Sequence, residues 1–253
     1  MKFFVHGSLL GSGLGLLFLM ASPSFATVVG NLYTGGSGTV TVTADGITFN
    51  ENDTTGGSTE VGAGTTLTFA GGSLTEGQPI DIGGGLTITP ASLPLTDFMT
   101  FPDDPNLSVT LDYFGPGSTN NNCAGLTTGE SCSPMIGSLV SPIILTYTGS
   151  GTEGSGNGSE GVSALLNLTG TITDGSGIVS DFTGHFSASI ANETPEQLVA
   201  LFDTPGASFS TTYAGDFVAS EMSAIPEPRD LSWVALSGLL LGLIFVRRRK
   251  SVA

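Results

Sequence analysis

Leu107-Ser108-Val109-Thr110-Leu111-Asp112-Tyr113 is the longest clean alternation of apolar and polar residues in the chain. A period of two puts Leu107, Val109, Leu111 and Tyr113 on one face of an extended strand and the small polar residues on the other. That is the pattern of a strand with one side toward a core and the other toward water. The same beat recurs on both sides of it. Upstream, Val40 and Val42 alternate with Thr39, Thr41 and Thr43, Asp45-Gly46 offers a hairpin turn, and Ile47 and Phe49 resume the pattern. Leu67 with Phe69, and Leu86 with Ile88, repeat it. Downstream come Leu145-Tyr147, Leu166-Leu168-Ile172, Phe182-Phe186-Ala188-Ile190 and Phe209-Tyr213-Phe217. The β-branched Thr residues on the opposite faces suit antiparallel sheets. The expected fold is therefore mainly β, an antiparallel β-sandwich whose topology, jelly-roll or immunoglobulin-like, stays open.

One segment departs from the pattern. Thr194-Pro195-Glu196-Gln197-Leu198-Val199-Ala200-Leu201-Phe202 predicts a short helix, with Thr194 as N-cap, Pro195 at the first helical position and Gln197 completing a capping box. Leu198, Leu201 and Phe202 fall on one face, suited to closing an end of the sandwich.

The strand pattern runs over residues 27–223, one domain of roughly 200 residues, long enough to bury a real core. Its charge is extreme. All six Lys and Arg lie outside it, at Lys2, Arg229, Arg247, Arg248, Arg249 and Lys250. Of 22 Asp and Glu, only Glu227 and Asp230 lie beyond Ile225, which leaves 20 in the body. Such a field repels nucleic acid and anionic lipid, and both are excluded as partners. Internal Lys or Arg salt bridges are excluded too, so counterions must screen the body.

The two ends read differently from the body. Met1-Lys2, an apolar run from Leu9 to Met20, and small Ser24 and Ala26 before Thr27 predict a signal peptide over 1–26, cut by signal peptidase between Ala26 and Thr27. At the other end, Pro226-Glu227-Pro228 leads into Leu231–Val246, which holds no charge, and Arg247-Arg248-Arg249-Lys250 follows. As a helix those sixteen residues span about 24 Å, and snorkelling by Arg247 lets them cross a bilayer. The basic cluster keeps the C-terminus cytoplasmic and the body outside.

This tripartite tail, residues 224–253, resembles the PEP-CTERM sorting signal of bacterial exported proteins. Pro226, Glu227 and Pro228, the Leu- and Gly-rich helix, and the run Arg247, Arg248 and Arg249 all match. Ile225 stands where the family usually has Val. The resemblance implies handling by an exosortase, a membrane peptidase thought to cut near the Pro-Glu-Pro and to release the protein or transfer it to the surface. It covers only about the last thirty residues and implies nothing about the body.

Chemistry in the body is sparse. Cys123 and Cys132 are the only cysteines, and in an exported chain such a pair closing a short loop predicts a disulfide. His185 is the one histidine after the signal segment. Asp181, four positions away, would lie about 13 Å off along a strand, too far for an acid–base pair. Twenty acids are enough to furnish paired carboxylates for glycoside cleavage, but the only Trp, Trp233, is in the tail. Asn50-Glu51-Asn52-Asp53 and Asp103-Asp104-Pro105-Asn106 gather hard oxygen ligands in loops. A specific calcium site would draw on Asn50, Asn52, Asp53, Asp103 and Asp104. Neither stretch has the spacing of a helical calcium loop, so solvated acidic turns with weak divalent association are the expected case, and no cofactor is expected.

Two functions follow from different classes. The first is a non-enzymatic surface or matrix protein, exported, tethered, processed, and deployed in an envelope or biofilm rich in exopolysaccharide, with that polysaccharide as a partner. The second is an exported hydrolase acting on polysaccharide through paired carboxylates. Two acids converging in a concave, aromatic-lined cleft would favour the second.

Overall fold

A computed structural model describes residues 27–222, apart from 37, 44–45, 51–57, 84–85, 88–92, 156–158, 178 and 205. The expected signal segment 1–26, the tail 224–253, and Asp45, Ile88 and Pro205 lie outside the described residues. Eighteen strands and one helix follow in order. They are β1 Gly30–Gly36, β2 Thr39–Val42, β3 Gly46–Asn50, β4 Thr59–Val61, β5 Thr68–Phe69, β6 Gly72–Ser73, β7 Asp81–Ile82, β8 Leu86–Thr87 and β9 Leu95–Thr100. After them come β10 Ser108–Phe114, β11 Ser131–Cys132, β12 Met135–Ile136, β13 Leu139–Val140, β14 Ile143–Tyr147, β15 Gly161–Thr173, β16 Val179–Ala191, α1 Pro195–Phe202, β17 Phe209–Thr212 and β18 Ala214–Glu221.

Antiparallel pairing joins ten of these strands in one sheet, ordered β4-β1-β18-β16-β15-β10-β9-β7, with β14 and β11 branching from β15. Its spine is the hairpin β15–β16, thirteen residues a side in unbroken register from Gly161↔Ala191 to Thr173↔Val179. Two strands share the far edge of β15: β14 pairs with its first half and β10 with its second. A four-stranded antiparallel sheet, β17-β2-β3-β8, packs against the large one through aromatic contacts. Phe49 of the small sheet meets Phe186 at 5.0 Å and Phe98 at 6.2 Å. Phe182 stacks on Phe217 at 4.9 Å, and Phe186 packs edge-on against Phe217 at 5.0 Å. These rings, with Leu32, Leu111, Leu145, Ile172 and Tyr147, form the buried centre.

Glycine makes the close packing of the spine possible at two places. A Cβ on Gly170 would collide with the Thr110 carbonyl oxygen, and one on Gly184 with the Asp216 carbonyl oxygen and the Phe217 ring. Both sit on core-facing positions where a neighbour fills the space a side chain would occupy.

Two sequence expectations need correction. The alternation that starts at Leu107 stops at Leu111. Pairing slips there from Leu111↔Gly170 to Tyr113↔Thr169, a β-bulge that inserts an extra residue. Tyr113 turns outward, 57% exposed, and Phe114 takes the core position. The run Phe209-Tyr213-Phe217 is not one strand either. The chain leaves the small sheet after Thr212 and enters the large one at Ala214, with Tyr213 at the crossing. Tyr213 still packs inward, 5.2 Å from Phe49, with its hydroxyl 2.5 Å from that of Thr59. The crossing keeps the parity of the run, so the apolar spacing is the same with or without the break.

The helix forms as its sequence predicts. Thr194 Oγ1 accepts from the Gln197 amide at 3.2 Å, and Gln197 Oε1 accepts from the Thr194 amide at 2.8 Å. A third partner arrives from afar: the Glu196 amide donates to Glu153 Oε1 at 2.8 Å. A carboxylate at a helix N-terminus satisfies an orphan donor and opposes the dipole. Leu198 is buried and Phe202 packs on the edge of the core.

The cysteines meet as expected, with Cys123 Sγ and Cys132 Sγ 1.99 Å apart and their Cα atoms 5.3 Å apart. The bridge closes a loop whose ends are nine positions apart. The folded protein is expected to show no free thiol, and reduction is expected to lower stability by about 2–3 kcal/mol without unfolding the body. Alkylation without prior reduction, or complete unfolding on reduction, would contradict this.

Candidate functional site

Several carboxylates of the body accept hydrogen bonds from backbone or hydroxyl donors. Asp174 accepts from the Ala70 amide at 3.0 Å, the Ser176 amide at 3.0 Å and the Ser176 hydroxyl at 2.5 Å. It thereby ties the β5–β6 hairpin to the turn between β15 and β16. Burial pushes its pKa up, but these hydrogen bonds, the Ser176 hydroxyl's foremost, outweigh burial and hold it below the usual value. A carboxyl depressed in the folded state stabilises fully above its unfolded pKa of about 3.9, and that contribution is lost as pH falls through the folded pKa. Asp174→Asn is therefore expected to cost roughly 1 kcal/mol at neutral pH, and the gap to wild type should narrow as pH falls below the unfolded value of about 3.9. Urea melts at pH 7 and pH 2.5 measure it, and a gap independent of pH would refute the assignment.

Glu153 joins two segments, accepting from the Leu126 amide at 3.1 Å as well as from the helix. Glu160 accepts from the buried Tyr147 hydroxyl at 2.6 Å. That bond, then burial, then the charges of Glu160 and Glu153, push the Tyr147 pKa up to about 12. Inside the disulfide loop, Glu130 accepts from the Thr127 amide at 2.8 Å, which lowers its pKa. These acids act as staples in a body without Lys or Arg.

The residues singled out for metal binding are not brought together by anything described. Asn50 ends β3 and donates from Nδ2 to Thr41 Oγ1 at 2.7 Å. Asp103 is exposed, and Asp104 accepts from Gln78 Nε2 at 3.3 Å in the turn before β10. Asn52 and Asp53 lie outside the described residues, as do Ala26, Pro226, Glu227, Pro228, Arg247, Arg248 and Arg249. Thr27 is described and donates to Glu221 Oε1 at 3.0 Å. Among the described residues no three His, Cys, Asp or Glu cluster as metal ligands, and no helix is long and apolar enough to cross a membrane. His185 is half-buried on the face of the large sheet away from the small one, between Asn167 and Asp216 in register.

Among the described residues, three cavities stand out. The first, about 50 Å³, lies between the sheets and is walled by apolar side chains such as Val40, Phe49, Leu166 and Phe209. The second, about 370 Å³, runs along α1 past Glu193 and Gln197. The third, about 190 Å³, is a groove at the edge of the large sheet formed by Tyr113, Pro116, Leu139, Val140 and Pro142. None of the three is lined by two carboxylates.

The edge groove is the feature that sequence reasoning missed. Alternation assigned Tyr113 to the core, and the hairpin β12–β13 gave only two residues a side, too short to register as a period. A signal was present in the order Pro134-Met135-Ile136-Gly137-Ser138-Leu139-Val140-Ser141-Pro142, a turn pair between short apolar runs with proline at either limit. In the structure Leu139 is 54% exposed and Val140 48%, beside the exposed ring of Tyr113. Compared with protein-family models, curated proteins and solved structures, the chain matches none.

Proposed function

We propose that this chain is an exported protein, sorted through its C-terminal tail by an exosortase, that acts without catalysis at the cell surface or in the surrounding polysaccharide matrix. The observation that carries the reading is the succession of three parts in the tail: Pro226-Glu227-Pro228, the uncharged Leu231–Val246, and Arg247-Arg248-Arg249-Lys250. The body is a β-sandwich in this reading, delivered outside after the signal segment is removed. Two features support a non-catalytic role. The hydrogen-bonded acids Glu130, Glu153, Glu160 and Asp174 are engaged by backbone amides, a serine or a tyrosine hydroxyl. The described cavities lack the paired carboxylates that glycoside cleavage requires. Replacing Pro226, Glu227 and Pro228 together with alanine tests the sorting. The variant should remain in the inner membrane with its C-terminus in the cytoplasm, and arrival at the surface at the normal mature mass would overturn the reading.

A further inference from the structure

We propose that the groove at Tyr113 is a binding site for a neutral polysaccharide. The proposal rests on the reading of the protein as a surface or matrix component. Three observations converge there.

The first is the bulge in β10. It costs a ladder position and turns an aromatic ring out to water, where a plain strand would have buried it. The exposed ring is continuous with Leu139 and Val140 of the adjacent hairpin and with Pro116 and Pro142. An exposed aromatic walled by aliphatic groups and rigid prolines is a stacking platform, since a sugar ring presents flat C–H faces to such a surface.

The second is what borders the platform. Thr169 stands opposite Tyr113 in register, and Thr183 stands opposite Thr169. One row over, Asn167, His185 and Asp216 line up across three strands. Hydroxyl, amide and carboxylate groups at strand spacing supply acceptors and donors for sugar hydroxyls. There is no Lys or Arg in the body to pair with uronate, sulfate or phosphate. An acceptor-rich, negatively charged face is complementary to an uncharged ligand rich in O–H donors and repels an anionic one.

The third is size. Tyr113, Leu139 and Val140, which line the groove, are 57%, 54% and 48% exposed. With about 200 Å² per side chain taken as an upper bound, they offer at most on the order of 300 Å², less than half of the roughly 800 Å² a stable protein partner covers. The patch suits a few sugar units of a chain and is too small for a second folded protein.

The test uses the full-length chain in detergent micelles and affinity electrophoresis through gels holding dextran, a neutral β-glucan, or polygalacturonate. Retardation is expected in at least one neutral gel and not in polygalacturonate. Tyr113→Ala should raise the apparent Kd at least tenfold, and Tyr113→Trp should keep it within about threefold. Tyr113 is exposed, so a melting curve unchanged from wild type accompanies the loss. Absence of retardation in both neutral gels, or retention unaffected by Tyr113→Ala, would overturn the proposal. So would binding confined to polygalacturonate. Binding in the gel does not depend on processing, so a protein that is sorted normally yet ignores both neutral glycans refutes the groove and leaves the sorting reading standing.

Discussion

Phe186→Ala is expected to destabilise the body by about 3–5 kcal/mol, the largest effect of any single truncation in the core. Phe186 is 6% exposed at the meeting point of both sheets. Its ring touches four others, Phe49 at 5.0 Å, Phe217 at 5.0 Å, Tyr213 at 5.4 Å and Phe98 at 6.2 Å. Removing it leaves a hole walled by rings from β3, β9 and β18, each held by its own ladder, and by Tyr213 at the crossing, so little collapse can refill it. Phe49 loses its main contact with the large sheet at the same time. Phe186→Leu keeps most of the volume and should cost about 1.5 kcal/mol or less. Tyr113→Ala, on the opposite face of the same sheet, should stay within about 0.5 kcal/mol of wild type. Equilibrium urea melts of the three variants rank them. Equal losses at Phe186 and Tyr113 would mean that the bulge does not separate inside from outside.

The second large effect is all-or-none. Protein that has lost its signal segment and its tail should resist trypsin even after boiling in denaturant, because residues 27–225 contain no Lys or Arg. Protein that keeps the tail should be cut after Arg229 and within Arg247–Lys250 under the same conditions. The assay needs no knowledge of where the tail is cut, and it reads processing from peptide mass alone. In cells carrying the Pro226, Glu227 and Pro228 to alanine variant, the trypsin-resistant species should vanish and the cleavable one accumulate. A resistant species at the normal mature mass in that variant would reduce the Pro-Glu-Pro to a helix-start device.

Much of the fold was legible because its determinants are local. Thr194, Pro195 and Gln197 specify a helix start within four residues, and that helix is where they place it. Cys123 and Cys132 are too close in sequence, and too alone, for much else. Strands showed where apolar residues alternate cleanly toward the core, as at β2, β3 and β10, whereas β1, β4 and β9 bury residues without such a run and were not read. What escaped depends on partners far along the chain. The bulge at Asp112–Tyr113 is fixed by the register against β15, so the alternation of β10 itself carries no trace of it. The switch of sheets at Tyr213 preserves parity and is likewise invisible. The length of β15 and β16 was understated at their ends, where small or polar residues such as Gly161, Ser163, Ser180 and Ala191 carry little apolar rhythm. The groove lay hidden for the same reason as the bulge that exposes its aromatic ring.

The order of strands bears on how such a chain would leave the cell. The strand nearest the N-terminus, β1, pairs with β18, the last: Gly30 lies opposite Ala219 and Thr34 opposite Gly215. The Gly215 amide also donates to Thr34 Oγ1 at 2.6 Å. A polypeptide threaded outward N-terminus first would deliver β1 long before its partner. The spine hairpin β15–β16 can zip as it emerges, since its halves are joined by a short turn, but the sheet cannot close across β1 until Glu221 has passed. Only the tail then remains behind. If the chain is exported and sorted as proposed, completion of the fold and arrest at the membrane would fall at the same moment, and the chain would stay threadable for the whole of its passage, becoming rigid only when the tail is in position to be read.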